Sequence, residues 1–212
     1  MNEHIGMIQL LEIQPGVHAV HAKNAALLQH CCRLLQDVSA QPVHTTPLQS
    51  ATNAKRMITW RPRHVKDLML ICDGHRQTCA VGAVEDGHVQ FFAPVAGANT
   101  MTPPCDGTTV LLCHLTCDEV DGGFHPVLLA YDMYTESTFA EPLPMRERYD
   151  SLLQRRAEVE GLALGAATVR VQWLGAAESY DKVCALELPH EKADIVAFDG
   201  DAYYERVVCS CI

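Results

Sequence analysis

Three residues near the middle of the chain, Asp73, Gly74 and Arg76, have side chains or backbone freedom that could serve a binding site. The Asp73 carboxylate can accept a hydrogen bond from a sugar hydroxyl or simply cap the turn, Gly74 permits a tight bend, and Arg76 can bind a phosphate. The residue two positions before the aspartate is Ile71, which has no lone pair and cannot act as a nucleophile. We therefore expect no catalytic residue in this turn.

The composition indicates a globular protein with no strong affinity for polyanions. The chain has 212 residues, is 48% hydrophobic and carries a formal net charge of −10, which argues against indiscriminate binding of nucleic acid. No apolar run approaches the roughly 20 residues of a membrane helix, and residues 1–4 do not resemble the start of a signal peptide. We therefore expect an intracellular protein of the nucleus or cytoplasm, without a membrane, whose ten cysteines are reduced thiols.

The basic residues fall into two clusters. The first surrounds Trp60, and either a solvated loop or a local anion site is consistent with it. The second alternates with acidic residues and is typical of a solvated helix face. The first cluster comprises Lys55, Arg56, Arg61, Arg63, His64 and Lys66, and the second comprises Arg146, Arg148, Arg155 and Arg156.

Apolar spacing and turn residues predict a strand-rich α+β domain. Helices are predicted over residues 23–38 and 145–161, with a short one over 53–61 that ends before a proline. The segment 118–123 is acidic and Gly-rich, which predicts a loop between two strands. The predicted strands cover residues 8–13, 68–72, 78–84, 88–92, 109–116, 127–134, 169–173, 195–198 and 206–209.

From about Pro47 onward, this succession resembles the nucleotidyltransferase domain of mRNA capping guanylyltransferases and ATP-dependent ligases. That family carries Lys-x-Asp-Gly-x-Arg, then a hairpin, a strand ending in Asp-Gly-Glu, a strand of the type Phe-Leu-Ile-Tyr-Asp, and Pro-x-x-Glu-Arg opening a helix. Here the last two match the strand 127–134 and the helix opening 144–148. The family's Asp-Gly-x-x-Phe strand matches residues 194–198, with Asp194 retained.

The resemblance also implies which groups are missing. In the family, the lysine of Lys-x-Asp-Gly-x-Arg attacks the α-phosphate of a nucleoside triphosphate, and the resemblance places Ile71 at that position. His114 replaces the glutamate of Asp-Gly-Glu, and Cys209 and Cys211 replace two lysines that contact the α-phosphate in the family. Because phosphoryl-type transfer depends on positioning and charge stabilisation, these replacements indicate a pseudoenzyme. The nucleotide-binding positions that the resemblance implies are Asp73, Gly74, Arg76, His114, Asp132 and Asp194. Trp60, inside the first basic cluster, is added to them as a side chain that can stack on a base.

The expected architecture is therefore a single nucleotidyltransferase-like domain: two antiparallel sheets flanked by helices around a central cleft. Residues 1–46 would form an extension, residues 47–212 the core, and we expect no OB-fold and no cofactor. The implied function is binding of a nucleotide or an RNA cap without chemistry, similar to the snurportin type of cap-binding domain. Two alternatives stay open: a scaffold or regulatory subunit of an RNA-processing complex that binds a protein partner and leaves its cleft empty, and residual nucleotidyltransferase activity.

Three other groups of side chains have types that could bind a metal, react or stack on a base. Cys113, His114 and Cys117 include metal-ligand types, but on a strand the histidine points away from the two thiols, so we expect no metal. Cys72 lies in an apolar run that disfavours a reactive thiolate. Trp60 and Trp173 can each stack on a base or pack in the core.

Overall fold

A computed structural model defines the architecture of most of the chain. It describes residues 11, 13–15, 25–40, 56–63, 65–74, 78–94, 107–140, 143–176, 179–190, 192–199 and 206–210. Among them, no helix combines the length and the apolar composition needed to cross a bilayer.

The larger sheet has eight strands in the order β1-β5-β4-β3-β6-β7-β9-β8 and curls into half a barrel. Its central strands were predicted correctly, including the hairpin turn at Asp86 and Gly87, which both have positive φ as an Asp-Gly turn requires. The sheet is mixed rather than antiparallel, since β7 and β9 run parallel. The strands are β1 (Ile13–Pro15), β3 (Lys66–Asp73), β4 (Thr78–Glu85), β5 (His88–Pro94), β6 (Thr108–Val120), β7 (Gly123–Thr135), β8 (Ala163–Leu164) and β9 (Ala167–Val171).

The smaller sheet is antiparallel and contains the one predicted helix that is wrong. Its order is β10-β2-β11-β12, with β10 at Gly175–Ala176, β11 at Lys192–Asp199 and β12 at Arg206–Ser210. Residues 53–61 were predicted as a helix, but Arg56–Pro62 is strand β2, while residues 53–55 lie outside the described part. Both faces of β2 are buried, so its sequence shows no alternation of polar and apolar residues.

Strands β6 and β7 also extend further than predicted. The acidic segment 118–123 is not a loop, because the two strands pair as far as Val120 and Gly123. Only Asp121 and Gly122 form the turn, and both have positive φ. Beyond Leu115, β6 no longer pairs with β3 and continues with β7 as a two-stranded ribbon. The Glu119 amide donates to the Pro189 carbonyl and Asp118 is buried, so the exposed part is the tip of the ribbon around Asp121 and Phe124.

Five helices complete the described fold: α1 (Ala25–Ala40), α2 (Glu136–Ala140), α3 (Met145–Gln154), α4 (Arg156–Glu160) and α5 (Tyr180–Ala185). Helix α1 confirms the first prediction. The helix predicted over 145–161 is divided in two at Arg155, where φ is −100° and ψ is 15°. The strand predicted over 8–13 lies largely outside the described residues.

Two hydrophobic clusters hold the elements together. The main core takes the inner residues of the larger sheet, the apolar face of α1, and also Met57, Val196 and Phe198 from the smaller sheet. The smaller cluster lies on the other face of β2 and β11, where Ile58, Trp60 and Ile195 pack with Val183 of α5. The smaller sheet is therefore apolar on both faces, and one of those faces closes the main core.

Candidate functional site

The turn that contains Asp73 and Gly74 begins at the end of strand β3. Ile71 is only 4% exposed and is paired on one side with Ala80 and on the other with Val110, so its side chain belongs to the main core. Asp73 and Gly74 are half-buried, and the Gly74 amide donates a 2.8 Å hydrogen bond to the carbonyl of Gly107. Arg76 lies outside the described residues. Position 71, where the resemblance would place a nucleophile, is thus an interior position of the sheet.

His114 is 1% exposed and belongs to a polar network between the two sheets. The Gln172 amide nitrogen donates to the Thr59 hydroxyl and to the Trp60 carbonyl, so its oxygen faces His114 Nδ1 at 3.0 Å. Nδ1 must therefore carry the proton. The other ring nitrogen, Nε2, is 3.2 Å from a carboxylate oxygen of Asp67.

Both nitrogens of His114 thus face oxygen atoms of neighbouring side chains. The Arg61 guanidinium lies 3.5 Å from the other Asp67 oxygen. The Tyr131 ring lies against the imidazole, with 4.5 Å between ring centroids. Tyr131 occupies a bulge in β7, because the β6 register shifts between Leu112 and Cys113. The bulge brings the tyrosine ring over His114.

Trp60 belongs to a second chain of hydrogen bonds. Its indole Nε1 donates to His190 Nε2 at 2.9 Å, and His190 Nδ1 lies 2.8 Å from Asp118. An indole N–H can only donate, so His190 Nε2 accepts and its proton sits on Nδ1, facing the carboxylate. Asp118 also accepts a 2.6 Å bond from Arg170. His190 is therefore neutral, and the Asp118 charge is balanced by Arg170.

Asp132 is fully buried and is paired with Arg148. The guanidinium donates from Nε at 2.9 Å and from Nη2 at 2.8 Å to the two carboxylate oxygens, a bidentate arrangement. It also donates to the carbonyl of Leu143 and lies 4.6 Å from the Tyr134 ring centroid. The prediction that the second basic cluster is a solvated helix face is wrong for Arg148, which is 0% exposed.

The remaining basic and acidic positions are more dispersed. Lys66 is paired with Glu85, and Arg63 is exposed, while Lys55 and His64 lie outside the described residues. Asp194 is paired in register with Arg61 and Ser210, but its side chain is not described. Cys209 lies opposite Ile195 in β12, and Cys211 is outside the described part.

Those of the predicted nucleotide-binding positions that the structure describes do not meet at one point. His114 and Trp60 are linked through Gln172, at the level of Asp67 in strand β3. Asp73 lies six residues further along the same strand, opposite Thr108, which corresponds to roughly 20 Å. The structure therefore separates the exposed end of β3 from the buried inter-sheet network.

Sequence reasoning missed most of that network, namely Thr59, Asp67, Asp118, Gln172 and His190. One signal was present, because His114 and Asp67 are polar residues beside strongly apolar strand segments. Buried polar groups need partners, so the positions of His114 and Asp67 indicated that each side chain forms a hydrogen bond inside the fold. Nothing in the spacing showed that Gln172 and His190 supply those bonds.

The seven cysteines whose side chains are described form no disulfide with one another, and four of them are buried. Burial raises the pKa of the Cys31 and Cys113 thiols well above the usual range, so neither forms a thiolate readily. Within the described part, no three His, Cys, Asp or Glu side chains come close enough together to hold a metal ion.

Comparisons with known proteins do not assign the chain. No protein-family model matches it, and a search of curated proteins finds no significant match.

Proposed function

We propose that this domain is a catalytically inactive, nucleotidyltransferase-like scaffold that acts through a protein partner in an RNA-processing complex. One observation carries the proposal: Trp60, His114 and Asp132, three of the implied nucleotide-binding positions, are buried and hydrogen-bonded to the protein itself. A polar group that is already satisfied in the interior gains little by exchanging its partner for a ligand.

The order of elements supports the nucleotidyltransferase likeness within this proposal. A hairpin follows the Asp73-Gly74 turn, two long strands come next, and helix α3 begins at Met145 directly after Pro144. Strands β11 and β12 then add to a second sheet. This is the succession that the resemblance implies, with the chemistry-bearing side chains exchanged for apolar or internally bonded ones.

The exposed tip of the β6–β7 ribbon supports a protein partner. Phe124 at its end is 72% exposed, and Glu119, directly opposite in the register, and Asp121 are exposed as well. Exposed aromatic residues are frequent anchors of protein–protein interfaces, whereas an acidic ribbon repels a phosphate backbone. The exposed features of the ribbon therefore favour a protein over a nucleic acid.

A second candidate, binding of a nucleotide or RNA cap without chemistry, is favoured by the partial exposure of Asp73 and Gly74. In that case Arg76 would be the main phosphate contact, since the other cations of the family motif are replaced in this sequence. The affinity for a triphosphate would be weak, in the high micromolar range or above, roughly −5.5 kcal/mol or less favourable.

We expect no covalent nucleotide adduct. Ile71 is the residue at the nucleophile position and its side chain is in the core, so no amine is positioned to attack an α-phosphate. The protein is incubated with α-labelled GTP or ATP and Mg²⁺ or Mn²⁺, and labelled protein is measured on a denaturing gel. An acid-labile, alkali-stable labelled band would contradict the inactive assignment, and a Lys66→Ala variant would then test that lysine as a displaced nucleophile.

A further inference from the structure

Two cysteines face each other across strands β3 and β4. Cys72 and Cys79 are directly opposite in the antiparallel register, and their sulfur atoms are 3.3 Å apart. Directly opposite residues have Cβ atoms about 4.5–5.5 Å apart, and disulfides form at Cβ distances of about 3.5–4.5 Å. The two ranges of Cβ–Cβ distance meet at about 4.5 Å, so a small adjustment of the two side chains brings the sulfur atoms to bonding distance.

Cys72 and Cys79 differ in their surroundings from Cys113. The sulfur atoms of Cys72 and Cys79 contact each other. Cys113 is buried in strand β6, on the other side of β3, and its sulfur contacts the Leu111 carbonyl at 3.7 Å. Cys79 is 5% exposed and follows the exposed Thr78, whereas Cys72 is fully buried. An oxidant arriving from solvent therefore meets Cys79 first.

We propose that Cys72 and Cys79 are a dithiol that a peroxide converts into an intramolecular disulfide. The Cys79 thiolate attacks one peroxide oxygen, the O–O bond breaks, and a sulfenic acid and hydroxide form. The Cys72 sulfur then attacks the sulfenic sulfur and the S–O bond breaks, which releases water. In total, two thiols and one hydrogen peroxide give one disulfide and two waters, with the sulfurs oxidised and the peroxide reduced.

A disulfide between Cys72 and Cys79 would restrain the turn at Asp73, which is an effect separate from the proposed scaffold function. The disulfide closes a ring over residues 72–79, which contains Asp73, Gly74 and Arg76. Cross-linking reduces the conformational freedom of the enclosed segment in the unfolded chain and ties the two strands together at its ends. Oxidation would thus fix the segment that carries the turn motif, whether or not that turn binds a ligand.

The test is peptide mapping of the full-length native protein. The protein is treated with a small molar excess of hydrogen peroxide, remaining thiols are alkylated, and the chain is cut after Lys, Arg and Glu. Residues 67–76 and 77–85 are then released, each with one cysteine. We expect these two peptides to be recovered as a disulfide-linked pair that disappears on reduction. Recovery of both peptides with alkylated or over-oxidised thiols, and no linked species, would overturn the proposal.

Matched variants separate a specific bond from general oxidation. Cys113→Ser should leave the linked pair unchanged, whereas Cys79→Ala should remove it and transfer no linkage to the other cysteines. The midpoint of thermal unfolding should rise on peroxide treatment of the parent and of Cys113→Ser, and should not rise for Cys79→Ala. An equal rise in Cys79→Ala, or a linked fraction no larger in native protein than in protein oxidised in urea, would contradict the folded-state geometry.

Discussion

Replacing Arg148 with methionine is expected to lower the free energy of unfolding by about 3–5 kcal/mol. The substitution removes both hydrogen bonds to Asp132 and leaves that carboxylate, which is 0% exposed, without its cationic partner. Chemical denaturation measures the loss, and the midpoint of thermal unfolding should fall by roughly 6–20 °C for a chain of this size.

Two comparisons make the Arg148 result specific. Arg146→Met removes an exposed arginine from the same helix turn and should change stability by less than about 0.5 kcal/mol. The double variant Arg148→Met with Asp132→Asn should regain part of the loss, because no buried charge is left uncompensated. A loss below about 1 kcal/mol in Arg148→Met would contradict the pairing as a main support of strand β7 against helix α3.

Introducing at position 71 the lysine of the family that the sequence resembles is expected to destabilise the fold and not to create an enzyme. Ile71→Lys places an ammonium group at a core position between Ala80 and Val110, where no solvent is available to the charge. We expect a loss of about 3 kcal/mol or more in the free energy of unfolding, and no labelled adduct with GTP or ATP.

The conservative variant Ile71→Val provides the control for position 71. It keeps the apolar character and should cost about 0.5–1.5 kcal/mol through the lost methylene. If Ile71→Lys were as stable as the parent and became labelled by a nucleotide, the position would be a latent active site. The assignment of Ile71 to the core would then be wrong.

Local signals in the sequence were enough to predict the hairpins and the first helix. Asp86-Gly87 supplies the two positive φ values that a tight hairpin turn needs, so the flanking strands followed directly. The same dipeptide, Asp121-Gly122, makes the second turn, but the acidic residues before it suggested a longer loop. The loop prediction was wrong because the acidic residue Asp118 is stabilised inside the fold by His190 and Arg170.

The inter-sheet network could not be predicted in the same way. The Trp60–His190 bond joins residues 130 positions apart, and the contact of Thr59 with Gln172 spans 113 positions. Periodicity describes only which face of an element is apolar, and it fails for β2, which is buried on both faces. The packing of the two sheets decides which distant polar group becomes the hydrogen-bond partner of a buried polar side chain. The internal roles of Trp60 and His114 therefore became visible only in the structure.

The most direct measurement of the central claim is the stability of the protein with and without nucleotides. Unfolding is followed by tryptophan fluorescence in the presence of 1 mM GTP, ATP or methylated cap analogue, for the parent, Arg76→Ala and the matched Arg63→Ala. A domain in which Trp60, His114 and Asp132 are committed to the interior should gain less than about 0.4 kcal/mol, the value for a dissociation constant of 1 mM. A saturable gain approaching about 2.7 kcal/mol, as expected for ligand at 100 times its dissociation constant, would contradict the scaffold assignment. If Arg76→Ala then abolished the gain and Arg63→Ala retained it, the turn at Asp73 would be identified as a nucleotide site.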